Sequence, residues 1–176
     1  AEFDIFSAYD CSRNDKDQKR FIDVLDEVKQ ACFQKAEENP SLHVPGETGI
    51  PDPKFYLMII SSFIVHRLSN NNTVGIPELL RLLYIAMQNT PLDSQVASEL
   101  AEKLIPLFKG ADNALLAALC PVAANLSRRT KLNQLQLTTL IEALCNATLS
   151  DNSKVRNTAS KAIYDNDNIH QLCFDF

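Results

Sequence analysis

Leu149-Ser150-Asp151-Asn152-Ser153-Lys154-Val155-Arg156-Asn157-Thr158-Ala159-Ser160-Lys161-Ala162-Ile163 decides how this chain is read. A helix ends at Leu149, an Asp-Asn turn follows, and a second helix starts at Val155-Arg156 with small residues where it must pack closely. The joint has echoes. Leu68-Ser69-Asn70, Phe108-Lys109-Gly110 and Leu149-Ser150-Asp151 recur at spacings of 40 and 41 residues. Leu115 and Val155 open their second helices 40 residues apart, and Ile76 answers 39 before Leu115. Each unit is helix, short turn, helix. Such a hairpin cannot bury its apolar stripe alone, so the period predicts stacked neighbours sharing one core.

Hydrophobic spacing places the remaining elements. Residues 1–12 are irregular and aromatic, with Phe3, Ile5, Phe6 and Tyr9. Residues 13–38 form an amphipathic helix, with Phe21, Leu25, Val28 and Cys32 at helical spacing. Residues 39–53 carry Pro40, Pro45, Pro51 and Pro53 with Gly46 and Gly49, and no helix crosses them. Residues 54–165 hold the repeats. Lys54 to Leu68 is apolar on nearly all sides, so neighbours cover two of its faces. Ser69 to Thr73 ends it, and Pro77 suits the first turn of the next helix, with Leu79, Leu80, Leu83 and Met87. After Pro91 a helix carries Val96, Leu100, Leu104 and Leu107. Gly110 then takes a left-handed C-terminal position. The helix over 112–127 contains Pro121, which predicts a kink or a break at Cys120. A basic link, Arg128 to Lys131, leads to a helix with Leu132, Leu135, Leu137, Leu140, Ile141 and Leu144. Residues 166–176 form a tail.

Asp151 to Arg156, followed by Ala159 and Ala162-Ile163, resembles the HEAT consensus: a turn acid, then Val-Arg, then small residues. Leu104-Ile105-Pro106-Leu107-Phe108 through Asn125-Leu126-Ser127 is similar to an armadillo repeat, including its terminal Asn-Leu-Ser. The resemblance covers about residues 54–165. It implies an all-α, right-handed α-solenoid of about three helical hairpins with an extra N-terminal helix. It also implies structural roles for Asp151, capping the second helix, and for Arg156, pairing with acids along the turn ridge.

Composition agrees with a helical domain. The chain has 176 residues, 45% hydrophobic and 22% charged, enough for a sizeable core. Its four glycines argue against a many-turned β-sandwich, and its net charge of −5 gives no general pull toward nucleic acid or anionic lipid. The five cysteines are widely spaced with no Cys-x-x-Cys pair, and read as small buried hydrophobes in a reducing compartment. The sequons at Asn125 and Asn146 fall in helices, and together with Asn71 they read as chance matches in an intracellular protein, cytoplasmic or nuclear. No apolar run reaches membrane-spanning length. Ala1-Glu2-Phe3 reads as a cloning scar, and both ends read as cut from a larger protein.

Chemistry-bearing constellations are scarce. His66 ends an apolar helix and His43 lacks a paired nucleophile. His170 with Cys173 makes half of a metal site at most, and no phosphate loop, Gly-x-Ser-x-Gly or His-Glu-x-x-His is present. No enzyme, metal or cofactor is expected. In these solenoids the second helices line the concave side, so the resemblance aligns Arg81, Pro121 and Lys161 in one row and Ile85, Asn125 and Asp165 in the next. Asn125 matches the asparagine with which armadillo import receptors clamp peptide backbone. Pro121 stands where their tryptophan would be, and the chain has no Trp, so a basic localisation signal is not the expected ligand. The expected function is a scaffold module binding a peptide, helix or partner domain through Arg81, Ile85, Asn125, Arg128 and Lys161, with self-association at an uncapped repeat end. One alternative is a nucleic-acid-associated domain using the basic patch at 128–161. Another is a tubulin-binding HEAT array working through its turns, which here lack the expected aromatic tip.

Overall fold

A computed structural model of the chain describes residues 53–88 and 90–164, with side chains from Leu57 onward. The segments at 1–12 and 13–38, most of the Pro-rich loop and the tail at 166–176 lie outside the described residues. Among the described residues the structure is all-helical, with six α-helices, one 3-10 segment and no strand. The chain divides into two compact units, Ala1–Thr90 and Pro91–Phe176.

In the first unit, α1 (Pro53–Ser69) packs against α2 (Ile76–Met87). Ile60 and Ile64 of α1 are fully buried, as are Leu79, Leu80, Leu82 and Leu83 of α2. The asparagine-rich turn between them has a definite task. Asn71 takes a left-handed conformation at φ 57°. Asn72 N–H then reaches the Arg67 carbonyl at 2.8 Å and Asn71 N–H the Leu68 carbonyl at 3.1 Å, the two bonds of a Schellman end. Asn is second only to Gly in tolerating that conformation. Arg67 Nη1 donates to the Val74 carbonyl at 2.6 Å, pinning the far side of the turn. Gly75, at φ 77°, precedes α2, and Pro77 lies in its first turn.

The second unit holds α3 (Ser94–Leu104), a 3-10 segment (Ile105–Phe108), α4 (Asn113–Arg129), α5 (Gln134–Ala147) and α6 (Ser153–Tyr164). Each α-helix begins on an Asx cap. Asp93 accepts from Gln95 N–H, Asp112 from Leu115 N–H, Asn133 from Gln136 N–H and Asn152 from Val155 N–H. Helix α4 packs on α3, α5 and α6, while α5 also packs on α3, α6 and the 3-10 segment. Leu104, Leu119, Leu140, Leu144 and Val155 are buried in this unit.

Three local expectations change. The helix expected to run through Leu107 stops at Leu104 and tightens into the 3-10 segment. Ile105 still keeps α dihedrals, at φ −52° and ψ −49°, but Pro106 after it has no N–H to donate back into the helix. Conversely, α4 does not break at Cys120 but passes through Pro121 as one element. Packing on three neighbours outweighs one lost backbone bond. The basic link shortens too, because Arg128 and Arg129 form the last turn of α4, where cations favour the helix dipole.

Gln136 ties two first helices together. It is only 5% exposed. Its Oε1 closes a capping box on Asn133 N–H, and its Nε2 donates to the Ser98 carbonyl and hydroxyl of α3, both at 3.2 Å. Gln136→Ala should therefore cost about 1–3 kcal/mol, read as a lower urea midpoint at constant slope. A loss below about 0.5 kcal/mol, the range of ordinary surface substitutions, would show that the tie carries no stability.

Candidate functional site

The anticipated binding residues divide between the two units. Arg81 and Ile85 lie one turn apart on α2, both half-buried. Arg81 already has a bonding partner. Asn125 and Arg128 share one face of α4 with Pro121, at positions i, i+4 and i+7. Lys161 is exposed on α6, which packs on α4. Asp165 lies outside the described residues. Of the anticipated residues, Arg128 and Lys161 are thus exposed cations on neighbouring second helices of the second unit.

Asn125 is the unusual member. It is 6% exposed, and its Oδ1 has no hydrogen-bond partner among the described residues. A hydrogen bond that would give that oxygen a purely structural task is therefore absent among the described residues. A buried acceptor left without a donor costs about 1–3 kcal/mol, so it needs a reason.

The turn at Ser150 to Arg156 is held together by a different route from the one its HEAT resemblance implies. Asn152, not Asp151, caps α6, accepting from Val155 N–H at 3.1 Å. The cap must be the residue whose own carbonyl starts the helix, and the Asn152 carbonyl takes Arg156 N–H at 3.0 Å. Arg156 does not pair with an acid there. Its Nη1 donates to the carbonyls of Ser150 and Asp151 at 2.8 and 2.9 Å, closing the turn. Asp151 is exposed.

A second surface was not anticipated. An open groove of about 850 Å³ lies in the second unit beside the ends of its two hairpins. Ile105 and Phe108 of the 3-10 segment, Leu116 of α4, and Ala143 and Ala147 of α5 supply apolar lining. Thr139, Glu142, Ala143, Asn146 and Ala147 occupy one face of α5 at helical spacing. Lys109 and Glu142 also line the groove. Both are exposed, and neither side chain makes a hydrogen bond or ion pair among the described residues. The only sequence signals were Pro106, which unwinds one wall, and the two alanines four residues apart on the other.

The cysteines behave differently from one another. Cys120 is buried and free, and desolvation pushes its thiol from 9.0 up to about 12. At neutral pH it stays protonated and is no nucleophile. Cys145 is half-buried and disulfide-bonded, which corrects its reading as a reduced core thiol. Among the described residues, no helix is long and apolar enough to cross a membrane, and no three His, Cys, Asp or Glu side chains gather to hold a metal ion.

No protein-family model, curated protein or solved structure matches the chain.

Proposed function

We propose that the chain is a non-enzymatic helical-repeat module that binds another protein, its hairpins stacked side by side as in HEAT and armadillo solenoids. The observation that carries this reading is the packing register of the second unit. The first helices α3 and α5 meet each other, and the second helices α4 and α6 meet each other. That is the register in which one hairpin covers the apolar stripe of the next. Small residues serve the closer contact, with Ala159 and Val155 of α6 fully buried. The binding row is Asn125, Arg128 and Lys161 on the second helices of the second unit, and Arg81 and Ile85 on α2 are a separate candidate in the first unit. Its ligand is an extended peptide or a helix whose acids meet Arg128 and Lys161, and whose backbone offers an N–H to the Asn125 oxygen once binding shifts the side chains that cover it.

The test is affinity purification with quantitative mass spectrometry, comparing the wild type with the double variant Arg128→Glu, Lys161→Glu. Reversing both charges should lower recovery of specific partners about tenfold or more, because opposed like charges cost several kcal/mol at an interface. The melting temperature should move by less than about 2 °C, since both side chains are exposed. Unchanged recovery would remove the row from the interface.

A second reading rests on the same exposure. Arg128, Arg129, Lys131, Lys154, Arg156 and Lys161 are all exposed, as a phosphate-binding patch requires. A gel shift that weakens steeply between two salt concentrations, and vanishes in the double variant, would favour it over a protein partner.

A further inference from the structure

We propose that Cys145 is joined to Cys173, so that a disulfide ties the tail at 166–176 to the outer flank of α5 and makes it the cap of the last hairpin. The pairing does not depend on the partner-binding reading above. It starts from an observed bond, since Cys145, half-buried on α5, is disulfide-bonded. The other cysteines are Cys11, Cys32, Cys120 and Cys173. Cys120 is free. Cys11 and Cys32 belong to the other compact unit, whereas Cys173 shares the unit Pro91–Phe176 with Cys145. Bond formation removes one hydrogen from each thiol. A small disulfide accepts both, with two electrons, and becomes two thiols.

The side of α5 that carries Cys145 points to the same partner. Gln136 marks the side that meets α3, through its bonds to Ser98. Cys145 comes later on the helix by about two and a half turns, and so faces the opposite side. In a stack of hairpins, one flank of a first helix meets the hairpin before it and the other flank meets what comes after. Cys145 therefore stands where the chain that follows α6 would pack, and the tail is that chain. Reach allows it. Cys145 lies in the last turn of α5, which ends at Ala147. The 12 residues of α6 carry the chain about 18 Å from the joining turn. The segment from Tyr164 to Cys173 extends to about 30 Å, ample for the return. The bond then holds the two Cα atoms within about 4.4–6.8 Å of each other, which lays the tail's backbone along α5. Leu172 and Phe174, on either side of Cys173, bring apolar area to that flank.

The experiment is a tryptic map of the full chain, equilibrated with oxidised and reduced glutathione and alkylated before digestion without reduction. The Lys and Arg positions put every cysteine in a different peptide, with Cys145 in 132–154 and Cys173 in 162–176. The expected species joins 132–154 to 162–176 and is split by a dithiol reductant. In Cys173→Ser no peptide should be joined to 132–154, and the melting temperature should fall by about 5–15 °C. Cys145→Ser should lower it equally, and the double variant no further than either, because the same single bond is lost in all three. A link from 132–154 to the Cys11 peptide 1–13 or the Cys32 peptide 30–35 would overturn the pairing, as would alkylated Cys145 in the wild type. A link from Cys145 to Cys173 whose removal leaves the melting temperature unchanged would overturn the cap, since the tail would then be tied to nothing the fold needs.

Discussion

Leu119→Ala should destabilise the Pro91–Phe176 unit by about 2–5 kcal/mol, the largest loss expected from any single truncation here. Leu119 is fully buried in α4, the helix that packs on α3, α5 and α6. Removing its side chain discards the transfer energy of the buried atoms. It also leaves a cavity, since three surrounding helices cannot all collapse inward at once. With domain stabilities of about 5–15 kcal/mol, such a loss approaches the margin on which the fold stands. Urea unfolding should show a lower midpoint with an unchanged slope. Leu115→Ala, one turn earlier and half-buried, is the control and should lose clearly less. Equal losses at the two positions would mean that α4 is not the hub of this unit.

Asn125→Leu should move stability the other way. Its Oδ1 is buried without a donor, so exchanging the amide for an apolar side chain of the same branching removes an unmet demand. The expected gain is about 1–2 kcal/mol, or about 2–8 °C in melting temperature. On the proposed binding row, the same change should lower partner recovery, because the side-chain oxygen offered to the ligand's backbone N–H is gone. Stability and function would then trade at one residue, as they do where a polar group is kept for a ligand. A stability loss beyond about 1 kcal/mol would instead assign Asn125 to the fold, and unchanged partner recovery would take it out of the binding row.

The two positions differ in how legible they were. Leu119 stands at helical spacing with Leu115, Leu116, Val122 and Leu126, an apolar stripe that a linear reading can assign to the core. Asn125 stands out in the sequence only by its match to the armadillo asparagine, which does not say whether its oxygen has a donor; the packed structure leaves that oxygen without one. The joint at Ser150 to Arg156 was recognised as structural from its echoes, but the working parts were misassigned. Asp151 and Asn152 are adjacent acceptors, and no pattern distinguishes them until the helix start is known. The arginine's carbonyl targets belong to a turn whose geometry is absent from any periodicity. The groove was invisible for a further reason. Its walls come from residues 105–109, 116 and 139–150, which only packing brings together.

Local chemistry therefore determined much by itself. Apolar spacing located all six described helices, and Asp93, Asp112, Asn133 and Asn152 stood ready as acceptors where the helix starts needed them. Asn71 and Gly110 supplied the left-handed turns. These features depend on residues within one or two helical turns of each other, so a linear reading reaches them. Tertiary structure decided the rest. It carried α4 through Pro121 because neighbours on three sides outweigh a missing hydrogen bond. It put Gln136 against Ser98, 38 residues away, and opened a trough between a 3-10 wall and an alanine-lined one. Burial and cavity shape are sums over distant neighbours, and only the packed chain performs that sum.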